Sequence, residues 1–396
     1  MKPTDSDAAA ADVSASDSVV LTQLLTRIES TNPTLSKSGG SGERAIAGYL
    51  EAWFKHRGIE CHRIEPVIGR PSVVGVVRGT GSGKSLMING HIDTVSLAGY
   101  LAEPLAGAME ERNGREVITG RGAMDMKSGI ASGMALLVYA QQHPLKGDII
   151  LAAVSDEEHL SKGTEQLLAA GWRADGAVVT EPTCLALGTT HKGFAWVEID
   201  VLGVAAHGSM PLEGVDAIAK TAKVISALEE YAPTLPTDEM LGQASLHCGL
   251  ITGGEEPSSY PSKCTLTVEF RTVPAQSSDQ IVRDVTDLLT EISMTDAKFQ
   301  FREPRLTFER KPHKIGGDHP LTQLTRAAAE QVLGQEVKPQ GVFGWCDAAL
   351  LAEAGVPSLV FGPTGEGLHG NDEWVDVESI RQTTDVLQKL AESFCN

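Results

Sequence analysis

No apolar run in this chain of 396 residues approaches the ~18 that a helical membrane span requires. The N-terminus, MKPTDSDAAAADVSASDS, has no apolar h-region before Val19. Basic residues are in the minority, with 33 Lys and Arg against 52 Asp and Glu. The resulting formal charge of −19 would make nucleic acid or an anionic membrane surface repel the average face, and a solvated acidic coat is its plain reading. The six cysteines (Cys61, Cys184, Cys248, Cys264, Cys346, Cys395) include no CxxC pair, and a chain of this size needs no disulfide staples. They read as reduced thiols. These absences predict a cytoplasmic protein with no nucleic-acid or membrane partner and a disordered acidic leader over residues 1–18.

A phosphate-binding loop is missing too, although GTGSGKS at 79–85 imitates one. The motif needs a glycine where Arg78 stands, and a helix must follow, whereas the next residues read as a strand. A glycine-rich hairpin between two strands is the expectation there.

What the chain does contain is a globular composition, 41% hydrophobic and 21% charged, at a length that calls for two domains. Helical periodicity at 19–30 and 43–57 is followed by short β-rich runs at 72–77 and 85–90, and then by DIILAAV at 148–154, GAVV at 176–179 and VPSLVF at 356–361. Unbroken apolar strands alternating with helices predict an α/β/α layer structure with a mixed, mostly parallel sheet. Between 192 and 309 the texture changes. FAWVEIDVLG and CTLTVEFRTV alternate with period two, so one face is apolar and the other polar, and helical stretches near 214–231 and 278–293 can cover the apolar face. The expected organisation is a domain of residues 19–191 and 310–396, interrupted at 192–309 by a smaller α+β module in the order strand–helix–strand–strand–helix–strand, which is ferredoxin-like.

The stretch SLMINGHIDTVS at 85–96 begins as a packed strand and ends on His91 and Asp93. Two residues apart in extended backbone, these side chains share a face, and the C-terminal end of a strand is where open α/β sheets place ligands. A metal-binding histidine commonly has its second ring nitrogen held by a carboxylate, which suits His-x-Asp, although a satisfied surface pair fits as well. Other carboxylates and imidazoles follow strand ends in the same way. Asp125 lies in GRGAMDMKSG, Asp156, Glu157 and Glu158 in SDEEHLSKGT, Glu181 in VTEPT and His369 in GLHGNDEW. Each alone would be a helix cap, a solvated loop or a turn. Together they can converge on one rim.

GHIDTV, GRGAMDMKSG, SDEEHLSKGT, VTEPT and GLHGNDEW, in this order and spacing, resemble the di-zinc amidohydrolase and metallopeptidase family of acetylornithine deacetylase, succinyl-diaminopimelate desuccinylase, aminoacylase and glutamate carboxypeptidase. The resemblance spans roughly 20–394. It implies that the inserted module is a lid that also dimerises. It implies two Zn2+ per subunit, with Co2+ or Mn2+ as substitutes: His91 and Glu181 on one ion, Glu158 and His369 on the other, and Asp125 bridging. It further implies a cis peptide at Asp125–Met126, and Glu157 as the general base for a water shared by the metals, while spacing alone also permits Glu158 as base and Glu157 as ligand. From GVAAHGSMPLEG, His207 resembles a lid histidine that enters the partner subunit's site to stabilise the oxyanion; otherwise it would cap a helix. Arg271 resembles a lid arginine that grips a substrate carboxylate, and a salt bridge with Glu269 is its alternative. The chain departs from many relatives at SSYPSK, where Ser258, Ser259 and Tyr260 replace an expected asparagine environment. Asp347 is expected as a helix N-cap and Cys346 as a buried thiol. The expected substrate is an N-acyl amino acid or related small amide. A dipeptidase or carboxypeptidase, or a non-catalytic binding protein on the same fold, are the other readings.

Overall fold

The computed structural model describes residues 12–37, 39–342 and 344–396. The chain divides into two compact units. One comprises the described residues up to Thr189 with Ile315–Gln340 and Cys346–Asn396, and the other comprises Thr190–Lys314 with Gly341–Trp345.

In the first unit the strands are β1 (Glu60–Ile64), β2 (Ser72–Val77), β3 (Leu86–His91), β4 (Ala108–Arg112), β5 (Arg115–Thr119), β6 (Ile149–Val154), β7 (Gly176–Val179) and β8 (Leu187–His191). With β14 (Ser358–Val360) they form a sheet in the order β1-β2-β6-β3-β7-β14-β8, while β4 and β5 join a separate small sheet. The neighbours β6, β3, β7 and β14 are parallel, and the outer pairings are antiparallel. Every residue of β3, β6 and β7 is buried, as unbroken apolar runs require when helices cover both faces. In β3, Ile88 faces helix α3 (Ser128–Gln142), where a Cβ on Gly133 would come within 3.1 Å of it. Asn89 faces the other way and donates to Thr164 of α4 (Lys162–Ala169) at 3.2 Å. A Cβ on Gly129 would sit 2.3 Å from the Thr180 carbonyl oxygen, so the first turn of α3 approaches the β7 end as only glycine allows.

Two expectations change here. GTGSGKS is not a hairpin, because β6 lies between β2 and β3. The loop instead straddles the approach to β6, with Thr80 N–H donating to the Leu145 carbonyl and Gly81 N–H to that of Lys146. Of the 1–18 leader, residues 1–11 lie outside the described residues, but 12–17 are fastened to helix α2 (Arg44–His56). Tyr49, Trp53 and Arg57 donate to the carbonyls of Asp12, Val13, Ser14 and Ala15, and Asp17 caps helix α1 (Ser18–Thr26).

The second unit runs β9 (Gly193–Leu202), helix α5 (Ala217–Tyr231), β10 (Ser245–Gly253), β11 (Lys263–Thr272), helix α6 (Ser278–Thr295), β12 (Gln300–Phe301) and β13 (Arg305–Arg310). The spatial order β10-β11-β9-β12, all antiparallel, is the ferredoxin-like one. Ala195, Val197, Ile199, Val201, Leu266, Val268 and Phe270 form its core with Val224 and Leu228 of α5 and Ile281, Val285 and Leu289 of α6. The unit also takes in Gly341–Trp345, which sequence alone assigned to the larger domain. The indole N–H of Trp345 donates to the Lys311 carbonyl, and its ring lies 6.1 Å from those of His191 and Phe194.

Candidate metal centre

Three parallel strands deliver donors at their C-terminal ends: β3 ends on His91, β6 leads into Asp156–Glu158, and β7 leads to Glu181. Asp125 lies in the tight segment Ala123–Lys127 just before α3, and its peptide bond to Met126 is cis. His369 lies in the loop between β15 (Gly365–Glu366) and β16 (Trp374–Asp376); β16 pairs with β5. That pairing sets the His369 loop beside the loop that carries Asp125.

The five side chains form two triads that share one member. His91 Nε2 lies 3.0 Å from Asp125 Oδ1 and 3.6 Å from Glu181 Oε1. His369 Nε2 lies 3.2 Å from Asp125 Oδ2 and 2.9 Å from Glu158 Oε2. Asp125 thus turns one oxygen to each triad, and the donor atoms within each triad all lie within 4.8 Å of one another. Imidazole nitrogen with carboxylate oxygen is a donor set that suits zinc and its neighbours, and a shared carboxylate suits a pair of cations.

The electrostatics match a place built for positive charge. Burial raises the Glu158 and Glu181 carboxyls, and the charge of Asp125 raises them further. Burial disfavours charge on His91, but Asp125 and Glu181 outweigh it and hold the imidazole well above its usual value. Hydrogen bonds to Asp125 and Glu158 raise His369 to about 10. Glu157 is raised well above the ordinary carboxylate range by burial, then by the charges of Glu181 and Asp347.

Asp93 has a different task from the expected one. His91 Nδ1 bonds the backbone carbonyl of Asp93 at 2.9 Å, while the Asp93 carboxylate lies 3.8 Å away. That carboxylate instead accepts the backbone N–H groups of Glu157 (3.1 Å) and Glu158 (3.3 Å) and the side-chain amide of Asn32 (2.8 Å). Asp347 also differs. It stands at the N-cap position of helix α7 (Ala348–Glu353) without a capping bond and accepts from the Thr164 hydroxyl at 2.7 Å. Cys346 is buried, and burial with the charge of Glu181 pushes its thiol well above the usual value, so it stays protonated.

His207 and Arg271 belong to the second unit. His207 caps no helix: α5 starts ten residues later behind Asp216. Its Nδ1 accepts the Ser209 N–H at 3.2 Å, which leaves Nε2 to carry the ring proton. The 206–208 segment pairs with 258–260, so the departure at SSYPSK lies directly beside His207. Arg271 Nε donates to Glu269 Oε1 at 2.5 Å, and Glu269 also accepts from Trp196.

Sequence reasoning missed several residues of the centre. Glu373 is fully buried and accepts four donors: Arg121 Nη1 and Gly122 N–H on one oxygen, each at 2.9 Å, and Met124 N–H (2.9 Å) and Asp125 N–H (3.0 Å) on the other. Asn32 and Glu43, both buried, and the half-buried Arg70 form a second group behind the Glu157 turn. Glu373 stood inside a motif already singled out, four residues after His369. Asn32, Glu43 and Arg70 were in none.

Residues 87–393 match the model of peptidase family M20/M25/M40. The chain is 26% identical over 336 residues to an acetylornithine deacetylase of Myxococcus xanthus, covering 83% of this chain and 85% of that protein. It is 28% identical over 360 residues to an N-formyl-4-amino-5-aminomethyl-2-methylpyrimidine deformylase of Halalkalibacterium halodurans, covering 82% and 83%. In fold it is similar to a tripeptidase of Staphylococcus aureus, with TM-score 0.76, 20% identity and coverage of 96% and 98%. A dinuclear metal binding peptidase of Bacillus subtilis gives TM-score 0.73 at 17% identity, covering 95% and 97%.

Proposed function

Because the chain belongs to peptidase family M20/M25/M40, whose members are hydrolases of C–N amide bonds, we propose that it removes the acyl group from an N-acyl amino acid or closely related small amide at a di-zinc centre. The carrying observation is the pair of triads joined through the two oxygens of Asp125. His91 and Glu181 would hold one ion and Glu158 and His369 the other, with Asp125 between them; Co2+ or Mn2+ fit the same donors. When bound, the ions supply Lewis acidity toward the scissile carbonyl and acidify the attacking water.

The chain's own groups do the rest. Glu157, kept basic by burial and neighbouring negative charge, takes the water's proton and delivers it to the departing amine nitrogen. His207, with its proton on Nε2, is the donor to the developing oxyanion, contributed across a homodimer. The edge strand β10 leaves Leu250 and Ile251 exposed at 70% and 54%, a surface suited to pairing with a second copy of the lid. Arg271, braced by Glu269, is the candidate grip on a substrate carboxylate. Six unpaired cysteines accord with a reducing cytoplasm, and no described helix is long and apolar enough to cross a membrane.

The acyl-removing activities named for the sequence relatives favour a deacylase over a dipeptidase. A panel of N-acetyl and N-formyl amino acids, assayed beside dipeptides with zinc-loaded enzyme, tests this. Acyl-amide hydrolysis is expected, lost on chelation and restored by zinc. Preference for dipeptides, or turnover indifferent to chelator, refutes it.

A further inference from the structure

The Glu157–Glu158 turn is held from behind by a chain of polar groups, all buried except the half-buried Arg70. Asp156 opens the turn with φ +63°, in the left-handed region that a non-glycine residue seldom occupies. Its Oδ1 accepts from Asn32 Nδ2 at 3.0 Å and Arg70 Nη2 at 2.8 Å. Arg70 is itself fixed by Glu43, through Nε to Oε2 at 2.7 Å and Nη2 to Oε1 at 2.6 Å, and Glu43 Oε1 also accepts the Asp156 N–H at 3.2 Å. Asn32 is the joint of the assembly. Its oxygen accepts the Thr34 N–H and hydroxyl, which fixes the amide's orientation, and its nitrogen gives one hydrogen to Asp156 and the other to Asp93. Asp93 then takes the N–H groups of Glu157 and Glu158.

We propose that Asn32 and Arg70 are positioning residues for the proton transfer, acting on Glu157 through Asp156 and Asp93. This rests on Glu157 being the base. Glu158 is tied independently by His369 at 2.9 Å, whereas nothing among the described residues donates a hydrogen bond to the Glu157 carboxylate. Slackening the turn therefore displaces the base before it releases a ligand. A misplacement of ~1 Å at a reacting group can lower turnover by ~100-fold.

The test is a double-mutant cycle in the full-length, zinc-loaded enzyme, with Asn32→Leu, Glu157→Gln and the double variant, and with Arg70→Lys and Asn32→Ser as milder changes should Asn32→Leu not fold. The expected result for Asn32→Leu is a 30- to 100-fold fall in kcat, with KM and the zinc affinity from chelator competition within about threefold of wild type. In the double variant kcat should stay within about threefold of Glu157→Gln alone, because both changes disable one proton transfer. Arg70→Lys, which loses the two-pronged grip on Glu43, should show about a tenfold fall of the same kind. Losses that multiply in the double variant, zinc affinity falling in parallel with kcat, or unchanged kcat in Asn32→Leu would each overturn the proposal. Full turnover in Glu157→Gln would instead overturn the assignment of the base, and the proposal with it.

Discussion

Replacing Glu373 by glutamine changes one atom type and no volume, yet the structure assigns it a large cost. The carboxylate accepts four donors, two on each oxygen, within 2.9–3.0 Å. An amide offers one acceptor oxygen. Its NH2 group must then face either Arg121 and Gly122 N–H or the N–H groups of Met124 and Asp125, donor against donor. Two buried hydrogen bonds to a charged acceptor are lost, each worth about 1.5–3 kcal/mol. The Arg121 guanidinium keeps its bond to the Gly370 carbonyl at 2.6 Å but loses its counter-ion, and a buried ion pair broken on one side costs about 3–5 kcal/mol. These terms overlap, so the net loss is about 3–5 kcal/mol, or about 6–10 °C in the melting temperature of the larger unit at about 2 °C per kcal/mol. Differential scanning calorimetry of wild type and Glu373→Gln in chelator measures the loss without any contribution from bound ions. The same variant should bind zinc more weakly, since Glu373 holds the backbone of Asp125 from the loop that also carries His369. A melting temperature within 2 °C of wild type would refute the reasoning.

Further outcomes can be checked with single variants. Glu157→Gln should keep both metals by elemental analysis and lose about 10²–10⁴-fold in kcat, whereas Glu158→Ala should lose metal; the opposite pattern reverses their roles. His207→Ala should lower kcat by about 10²-fold with little change in KM, and an engineered monomer with full activity would remove the partner's histidine from the reaction. His191 is buried beside His313, and burial first, then the neighbouring imidazole, depresses it to about 3. Its folded value lies below the unfolded ~6.5, so the unfolded chain binds the extra proton between these limits. The stability it contributes is complete above about pH 6.5 and is lost as pH falls toward 3, at up to ~1.4 kcal/mol per pH unit. His191→Phe should flatten the slope of unfolding free energy between pH 6 and 4, and an unchanged slope would show that the imidazole is not held neutral.

In the candidate metal centre His91, Glu158 and Glu181 were legible because they follow strand ends of the parallel sheet, which converge by topology, while Asp125 and His369, in loops beside the small antiparallel sheet, stood out only by their glycine-rich motifs. The second unit was legible because alternation with period two survives burial of one face. What was not legible depends on contacts between distant segments. Asn32 meets Asp156 across 124 residues and Glu373 meets Asp125 across 248, and neither bond leaves a local pattern. The supposed hairpin at GTGSGKS failed for a related reason: nearness in sequence does not decide whether a third strand enters between two others, and β6 does. Residues 12–17 looked like a free leader because they carry no apolar periodicity. The carbonyls of residues 12–15 are held by donors from α2 and from Arg57 just after it, and any backbone offers those whatever its side chains. Asp93 was assigned to the right neighbourhood but the wrong atom, because a spacing of two residues cannot tell a backbone carbonyl from the carboxylate beyond it.

The hydrogen bonds also separate the carboxylates of this centre by task. Glu373 is saturated by main-chain N–H groups and Arg121, Glu43 by Arg70, and Asp93 by Asn32 and the Glu157 turn. Burial raises all three above the ordinary carboxylate range, but fixed donors occupy their oxygens, which suits supports rather than groups that meet a reacting water. Asp125 and Glu158 face imidazole nitrogens at 2.9–3.2 Å, the arrangement of groups that share cations. Glu157 belongs to neither set: no described residue donates a hydrogen bond to its carboxylate, and burial with the charges of Glu181 and Asp347 raises it against the pull of His91. Glu158 is raised too, by burial and the charge of Asp125, but His369 engages it at 2.9 Å, whereas no described donor engages the Glu157 carboxylate. The order of the two glutamates, open from spacing alone, is therefore supported by the geometry in favour of Glu157 as base and Glu158 as ligand.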